Sequence, residues 1–161
     1  MLVRALTPDD WKLRRELRLA ALLDAPYAFM STYEQALARQ DSEWQTWASD
    51  GAIYAAFLDE QPAGLVGVME REGEPVADLF AMWVAPHARG SGVADGLIRA
   101  ATEWAAERGL EAVRLEVAAG NERAERVYAR HGFIRTDEEP YRLGDLTMRL
   151  HFPQVSPPQP R

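Results

Sequence analysis

The chain begins with a short apolar-leaning run, Leu2–Leu6, that reads as a strand. Thr7-Pro8-Asp9-Asp10 follows with the features of a helix start: a capping hydroxyl, a proline at the first helical position and acids in the first turn. Leu13, Leu17, Ala20, Ala21 and Leu23 then recur at helical spacing as far as Asp24, and Ala25-Pro26 breaks the pattern. Short helices are expected over Tyr33–Ala38 and after Ser42, the second carrying Trp44 and Trp47. The period changes at Gly51. Ala52–Leu58 and Ala63–Met69 are apolar runs joined by Asp59-Glu60-Gln61-Pro62, the pattern of a hairpin, and the turn Arg71–Pro75 leads to a third run, Val76–Val84. Val93, Leu97, Ile98, Ala101, Trp104 and Ala105 mark an amphipathic helix over Ser91–Arg108, closed by Gly109. Glu111–Val117 alternates as a strand, Asn121–His131 reads as a helix ended by Gly132, and Phe133–Arg135 and Asp145–His151 read as final strands.

This order predicts an α/β (α+β) fold: one mixed, mostly antiparallel central sheet flanked by helices. With 161 residues and no internal repeat it is expected to form one domain over residues 1–152, followed by a Pro-rich tail over 153–161. The absence of cysteine excludes disulfides, a thiol nucleophile and a cysteine-ligated metal. With three histidines, no metal site is expected. Eighteen basic against 25 acidic residues give a net charge of −7, which argues against nucleic acid or an anionic membrane as partner. No apolar run approaches the roughly 18 residues of a membrane span, and Met1-Leu2-Val3-Arg4 does not begin a signal peptide, so a soluble cytoplasmic protein is expected.

The chemistry concentrates in Trp83-Val84-Ala85-Pro86-His87-Ala88-Arg89-Gly90-Ser91-Gly92-Val93-Ala94, a strand, a loop and a helix start. Gly90 and Gly92 remove side chains where backbone must approach a partner, and the loop delivers that backbone to a helix N-terminus, a place suited to phosphate. A nucleotide P-loop is disfavoured because no Lys-Ser/Thr follows the last glycine, and a dinucleotide fingerprint because the third glycine is missing. Further on, Asn121 and Tyr128 lie seven residues apart, two turns and about 10 Å along one helix face. Taken alone, Asn121 reads equally as a helix cap and Tyr128 as part of the apolar stripe with Ala124 and Val127.

In this order the two segments resemble the GNAT family of N-acetyltransferases. Arg89-Gly90-Ser91-Gly92-Val93-Ala94 is similar to its pyrophosphate-loop pattern, Gln/Arg-x-x-Gly-x-Gly/Ala. Asn121 to Phe133 is similar to its Asn-x-x-Ala-x-x-x-Tyr-x-x-x-Gly-Phe, and Met82-Trp83-Val84-Ala85-Pro86 resembles its fourth strand. The resemblance is strong over residues 78–135, and strand order extends it over 2–151.

The resemblance implies that Arg89, Gly90, Ser91, Gly92, Val93 and Ala94 wrap the pyrophosphate of acetyl-CoA, the co-substrate. It implies that Met82, Trp83 and Val84 present their backbone to the pantetheine arm, which inserts where the fourth and fifth strands splay. Met82 or its neighbour would direct an N–H at the thioester carbonyl. Asn121 would bond the arm from the other side, with Arg123 among the cofactor contacts, and Tyr128 would protonate the departing thiolate. A general base for the amine is expected nearby: Asp78 sits closest to the family's fourth-strand glutamate, with Glu70, Glu116 and water as alternatives. The partner implied is an amine acceptor, a small molecule or a peptide or protein amine, with Tyr27, Phe29, Tyr33, Trp44 and Trp47 as candidate lining. A homodimer paired through the late strands is expected by analogy. The competing expectation is a CoA-binding sensor module without turnover. Residues 85–135 carry eight Arg and seven acids, so the predicted cofactor region is the least acidic part of the chain.

Overall fold

The computed structural model describes residues 1–154 and Pro160, so most of the expected Pro-rich tail lies outside the described residues. Its strands are β1 (Leu2–Ala5), β2 (Gly51–Leu58), β3 (Gln61–Glu70), β4 (Val76–Val84), β5 (Ala112–Val117), β6 (Ile134–Thr136) and β7 (Leu146–His151). Its helices are α1 (Trp11–Asp24), α2 (Tyr33–Leu37), α3 (Asp41–Gln45), α4 (Val93–Glu107) and α5 (Glu122–Arg130). The strands form one sheet in the order β1-β2-β3-β4-β5-β7-β6, antiparallel at each seam except β4–β5. Among the described residues no helix is long and apolar enough to cross a membrane.

Local chemistry explains the elements. The β2–β3 hairpin turns through Asp59 and Glu60, both at positive φ (48° and 67°), the backbone that a two-residue turn between twisted strands requires. Thr7 and Pro8 open a 3-10 turn that runs directly into α1. Thr32 and Gln35 cap α2 reciprocally. α3 stops short of its aromatic spacing: it ends at Gln45, so Trp47 lies beyond it.

The sheet has two differently dressed faces. On one, Val66, Val68, Ala77, Leu79, Val113 and Leu115 pack against the buried stripe of α4, namely Val93, Leu97, Ile98, Ala101, Trp104 and Ala105. On the other, Leu6, Ile53, Ala55, Leu65 and Trp83 pack against Leu17 and Ala21 of α1. A bulge in β4 switches faces midway. Leu65 pairs with Trp83 but Gly67 with Phe80, leaving Val66 opposite both Ala81 and Met82, and Ala81 adopts φ +54°. The extra residue inverts the alternation: Ala77 and Leu79 face α4, and after the bulge Met82 and Val84 do so while Trp83 turns to the α1 side.

Candidate active site

The parallel seam between β4 and β5 is only three residue pairs long, Val76–Asp78 against Ala112–Arg114. Beyond it β4 continues on β3 to Val84 and β5 on β7 to Val117, without pairing to each other. Backbone groups on the facing edges are left open, and buried polar backbone requires partners. The opening widens into a cleft of about 730 Å³, walled by Met82, Trp83 and Val84 of β4, the loop and first residues of α4, and one face of α5.

At the foot of the cleft lies the glycine loop. Gly90 and Gly92 have φ of +81° and +88°, a region that strains other L residues, and a Cβ at either would meet nothing within 4 Å. Gly92 caps α4 in the left-handed conformation without a side-chain hydrogen bond. The first hydrogen bond into α4 comes from Gly96 N–H to Gly92 C=O, and no acceptor among the described residues takes the N–H groups of Val93, Ala94 and Asp95. This is an anion cradle, made of open donors at a positive helix end. The Asp95 carboxylate is engaged sideways, accepting from Arg130 at 2.9 Å and contacting His131 Nε2 at 2.7 Å, which clamps α5 beside α4 and holds its pKa below the carboxylate range.

α5 supplies the opposite wall. Asn121 caps it, Oδ1 accepting from Ala124 N–H at 3.2 Å, and its amide nitrogen has no protein partner among the described residues. Tyr128 is buried at 8% exposure, its ring edge-on to Phe133 with centroids 5.7 Å apart. Burial pushes its pKa far above the ordinary phenol value, no protein group among the described residues takes its hydroxyl, and the residue lines the cleft. Arg123, Arg126 and Arg130 line the same wall at helical spacing and give it a cationic rim.

The far side of the cleft is built from the α1–α2 connection, with Asp24, Tyr27 and Phe29 on its wall. The Asp24 carboxylate accepts from Trp83 Nε1 at 2.9 Å and pairs with Arg89, and these bonds hold its pKa down. The Arg89 side chain is therefore directed at Asp24 and at the Val84 carbonyl, and its backbone, not its guanidinium, shapes the glycine turn. Arg142, in the β6–β7 loop, donates to the carbonyls of Tyr27 (3.0 Å) and Phe29 (3.4 Å) and to Asp145 (2.9 Å), which in turn accepts from Ala119 N–H. That strap joins the β5 end to the α1–α2 segment across the opening.

Met82, Trp83, Val84, Arg89, Gly90, Gly92, Val93, Ala94, Asn121, Arg123 and Tyr128 all line the one cleft. Ser91 does not, since its hydroxyl turns back to the Ala88 carbonyl. Asp78 stands on β4 at the last pair of the β4–β5 seam, outside the lining, bonded to Arg71 at 3.2 Å and 3.8 Å from buried Arg114. Burial raises its pKa, opposed by the charges of both arginines. Glu116 accepts from Arg114 and from Tyr141 N–H on the same face of the sheet. Glu70 follows Val66 and Val68 in the alternation of β3 and lies on the α4 face, away from Asp78. Trp44 is fully buried in a cluster with Leu22 and Ala36, on which Tyr33 packs, so these two are core packing. Arg126, Arg130 and Arg142 escaped the sequence reading. The first two were detectable from their spacing to Arg123, whereas Arg142 sits in a loop without a pattern.

A family model described as the acetyltransferase (GNAT) family matches residues 17–133. A streptothricin acetyltransferase of Escherichia coli is 38% identical over 86 residues, 52% of this chain and 48% of the relative. A mycothiol acetyltransferase of Nocardiopsis dassonvillei is 29% identical over 126 residues, 74% of this chain and 38% of the relative. The chain thus spans under half the length of these curated relatives. The structure of yncA from Salmonella typhimurium, solved with acetyl-CoA, superposes with a TM-score of 0.78 at 15% identity, covering 99% of this chain and 98% of that one. An N-acetyltransferase of Thermoplasma acidophilum, in complex with coenzyme A, does so at 0.71 and 16% identity, covering 94% and 98%. The seven-stranded sheet is the fold of these acetyltransferases, and the chain belongs to the acetyltransferase (GNAT) family.

Proposed function

We propose that this protein is an acetyl-CoA-dependent N-acetyltransferase that moves an acetyl group to a primary amine by direct transfer in a ternary complex. One juxtaposition carries the reading: the open N–H groups of Val93–Asp95 stand at the foot of the same cleft that the β4–β5 splay opens and whose wall includes Tyr128. The residues fit the cofactor. The glycine turn has room for a pyrophosphate where side chains would stand, the α5 arginines supply cations for further phosphate, and the free edge of β4 offers donors and acceptors to amides. The names of the relatives, acetyltransferases for streptothricin and for mycothiol, support acetyl transfer as the chemistry.

Acetyl-CoA, when bound, supplies an acetyl group activated as a thioester. Backbone N–H of Met82 or its neighbour receives the charge developing on the thioester carbonyl. Tyr128, kept protonated by burial, donates to the departing thiolate throughout the working pH range. A lysine-like amine, with pKa about 10.4, costs roughly 4 kcal/mol to neutralise near pH 7. Asp78 takes the proton that the amine gives up, directly or through water, and its raised pKa suits it to do so. With no cysteine in the chain, transfer proceeds without a thiol relay.

The test is thermal unfolding with acetyl-CoA, CoA and ATP in separate arms. A ligand at 100 times its dissociation constant adds about 2.7 kcal/mol, which for a domain of this size raises the midpoint by roughly 5–10 °C. The expected result is a shift with both CoA ligands and none with ATP, followed by thiol release on addition of amines. No shift with either CoA ligand sinks the assignment.

A further inference from the structure

Two arginines one turn apart on α1 are buried to almost the same degree, Arg14 at 5% and Arg18 at 7% exposure. Arg14 is satisfied. Its Nη2 donates to the Leu6 carbonyl at 2.9 Å and its Nη1 to the Trp47 carbonyl at 2.9 Å, with the Trp44 carbonyl at 3.4 Å, so it ties α1 to the end of β1 and to the turn after α3. Arg18 has no such duty. Its Nε and Nη1 are sealed from solvent without a hydrogen-bond partner among the described residues, and Nη2 is the one nitrogen not sealed. The guanidinium lies instead over the rings of Phe29 and Trp47, 4.7 and 5.9 Å from their centroids. The neighbouring charge that acts on it is another cation, Arg39, itself stacked on Trp44. Burial and Arg39 lower its pKa to about 10, which still leaves it charged at neutral pH.

A buried cation with neither counter-ion nor acceptor is strongly unfavourable, and charges so placed are nearly always paired. Its location indicates where the partner comes from. Phe29 forms part of the cleft wall with Tyr27. Trp47 meets Phe80 edge-on at 6.3 Å, and Phe80 stands on β4 beyond its last pair with β5. Arg18 thus backs the aromatic layer opposite the glycine loop, on the side where Val93–Asp95 and the α5 arginines play no part.

We propose that Arg18 is the recognition residue for a carboxylate on the acceptor, so that the substrate class is an amine whose skeleton also bears a carboxylate, an amino acid or a compound like one. The inference rests on the acetyltransferase reading and deepens it. The open Nη2 offers a charged donor to one carboxylate oxygen, and the flanking aromatic faces hold the guanidinium plane fixed. One guanidinium balances a singly charged anion, whereas a phosphate dianion calls for a second donor. A polycationic acceptor meets an uncompensated positive charge here.

The experiment holds the protein at saturating CoA, so that no transfer occurs, and follows thermal unfolding with each of the twenty free amino acids and with their C-terminal amides. It is repeated with Arg18→Met and Arg18→Lys. The expected result is protection of the wild type by at least one free acid and not by its amide, lost in Arg18→Met. Without acceptor, Arg18→Met unfolds no lower than the wild type, since an apolar side chain replaces an unpaired buried charge. In turnover with acetyl-CoA, Arg18→Met raises the KM of that acid by about 100-fold and leaves the KM of acetyl-CoA unchanged. Three results overturn the proposal: amides protecting as well as acids, no acid protecting at all, or unliganded Arg18→Met unfolding several degrees below wild type, the mark of a structural residue. Failure of the transferase reading looks different, because CoA alone then gives no shift.

Discussion

The two sides of the cleft are built on different principles. The side made by β4, the α4 N-terminus and α5 leaves its main chain open: among the described residues, a strand edge has no neighbour and three helix N–H groups have no acceptor. The side made by the α1–α2 connection and the β6–β7 loop closes its main chain and engages its side chains with one another, Asp24 with Trp83 and Arg89, Arg142 with two carbonyls. Recognition by open backbone needs a particular backbone shape, so it writes itself into glycine spacing. Recognition by side chains from distant segments needs no local pattern. A cofactor shared across a family is suited to the first, and an acceptor that differs between members to the second.

The sharpest way to break this contrast is at Tyr128, where the open side carries a side chain of its own. Tyr128→Phe is expected to lower kcat by about 10²–10⁴ while the affinity for acetyl-CoA, measured by equilibrium titration, stays unchanged. A matching loss of affinity would move Tyr128 from chemistry to binding, and unaltered turnover would favour a module that binds without catalysis. Next is Gly92→Val. A β-branched residue at φ +88° is strained by about 1–2 kcal/mol, and its side chain enters the space open at that glycine. Acetyl-CoA should bind on the order of 100-fold more weakly, with the acceptor KM little altered. If the acceptor KM moves instead, the two sides are not separate.

Asp78→Asn tests the boundary between them. Its raised pKa means that the wild-type rate falls as pH drops through that value and the carboxylate protonates. The variant is expected to lose about 10-fold or more in kcat and, with it, the acidic limb of the pH–rate profile. Retention of that limb would transfer the role to Glu116 or water. The smallest effects are expected on the side-chain-locked half. Arg142→Ala frees the carbonyls of Tyr27 and Phe29 and should raise the acceptor KM by about fivefold, within the range of one exposed hydrogen-bonded charge. Glu138, bonded to Arg149 and Arg114, has its pKa lowered from 4.5 to about 2. A depressed carboxylate contributes stability that is complete above pH 4.5 and is lost as pH falls towards 2. Glu138→Gln should therefore flatten the acid limb of a stability–pH curve over that window.

The same division explains what was legible in the sequence. Each strand and helix was visible because apolar period and turn chemistry agreed: Val76–Val84 is a strand between the residues that its pattern gave, and α4 carries the six buried positions of its stripe. The glycine turn and the Asn121–Tyr128 pair were legible as well, and they share one cleft. The bulge at Ala81 was hidden, because alanine carries no mark of positive φ, and with it the turn of Trp83 toward Asp24. Trp47 fell off α3 because that helix is a single turn and tertiary packing, not propensity, sets where it stops. The isolation of Arg18 could not be read at all, since it depends on which acceptors the fold withholds.

The three-residue seam between β4 and β5 has a further consequence for how the molecule opens. The sheet is two slabs, β1–β4 and β5–β7, joined in the plane by Val76–Asp78 against Ala112–Arg114 and bridged above by α4. Amide protons on the unpaired edge of β4, from Leu79 to Val84, should exchange with solvent much faster than those facing β3, although both belong to one strand. An extended ligand laid along that edge closes the gap as a missing strand would. Protection should then rise on both slabs together, turning two partly independent cooperative units into one.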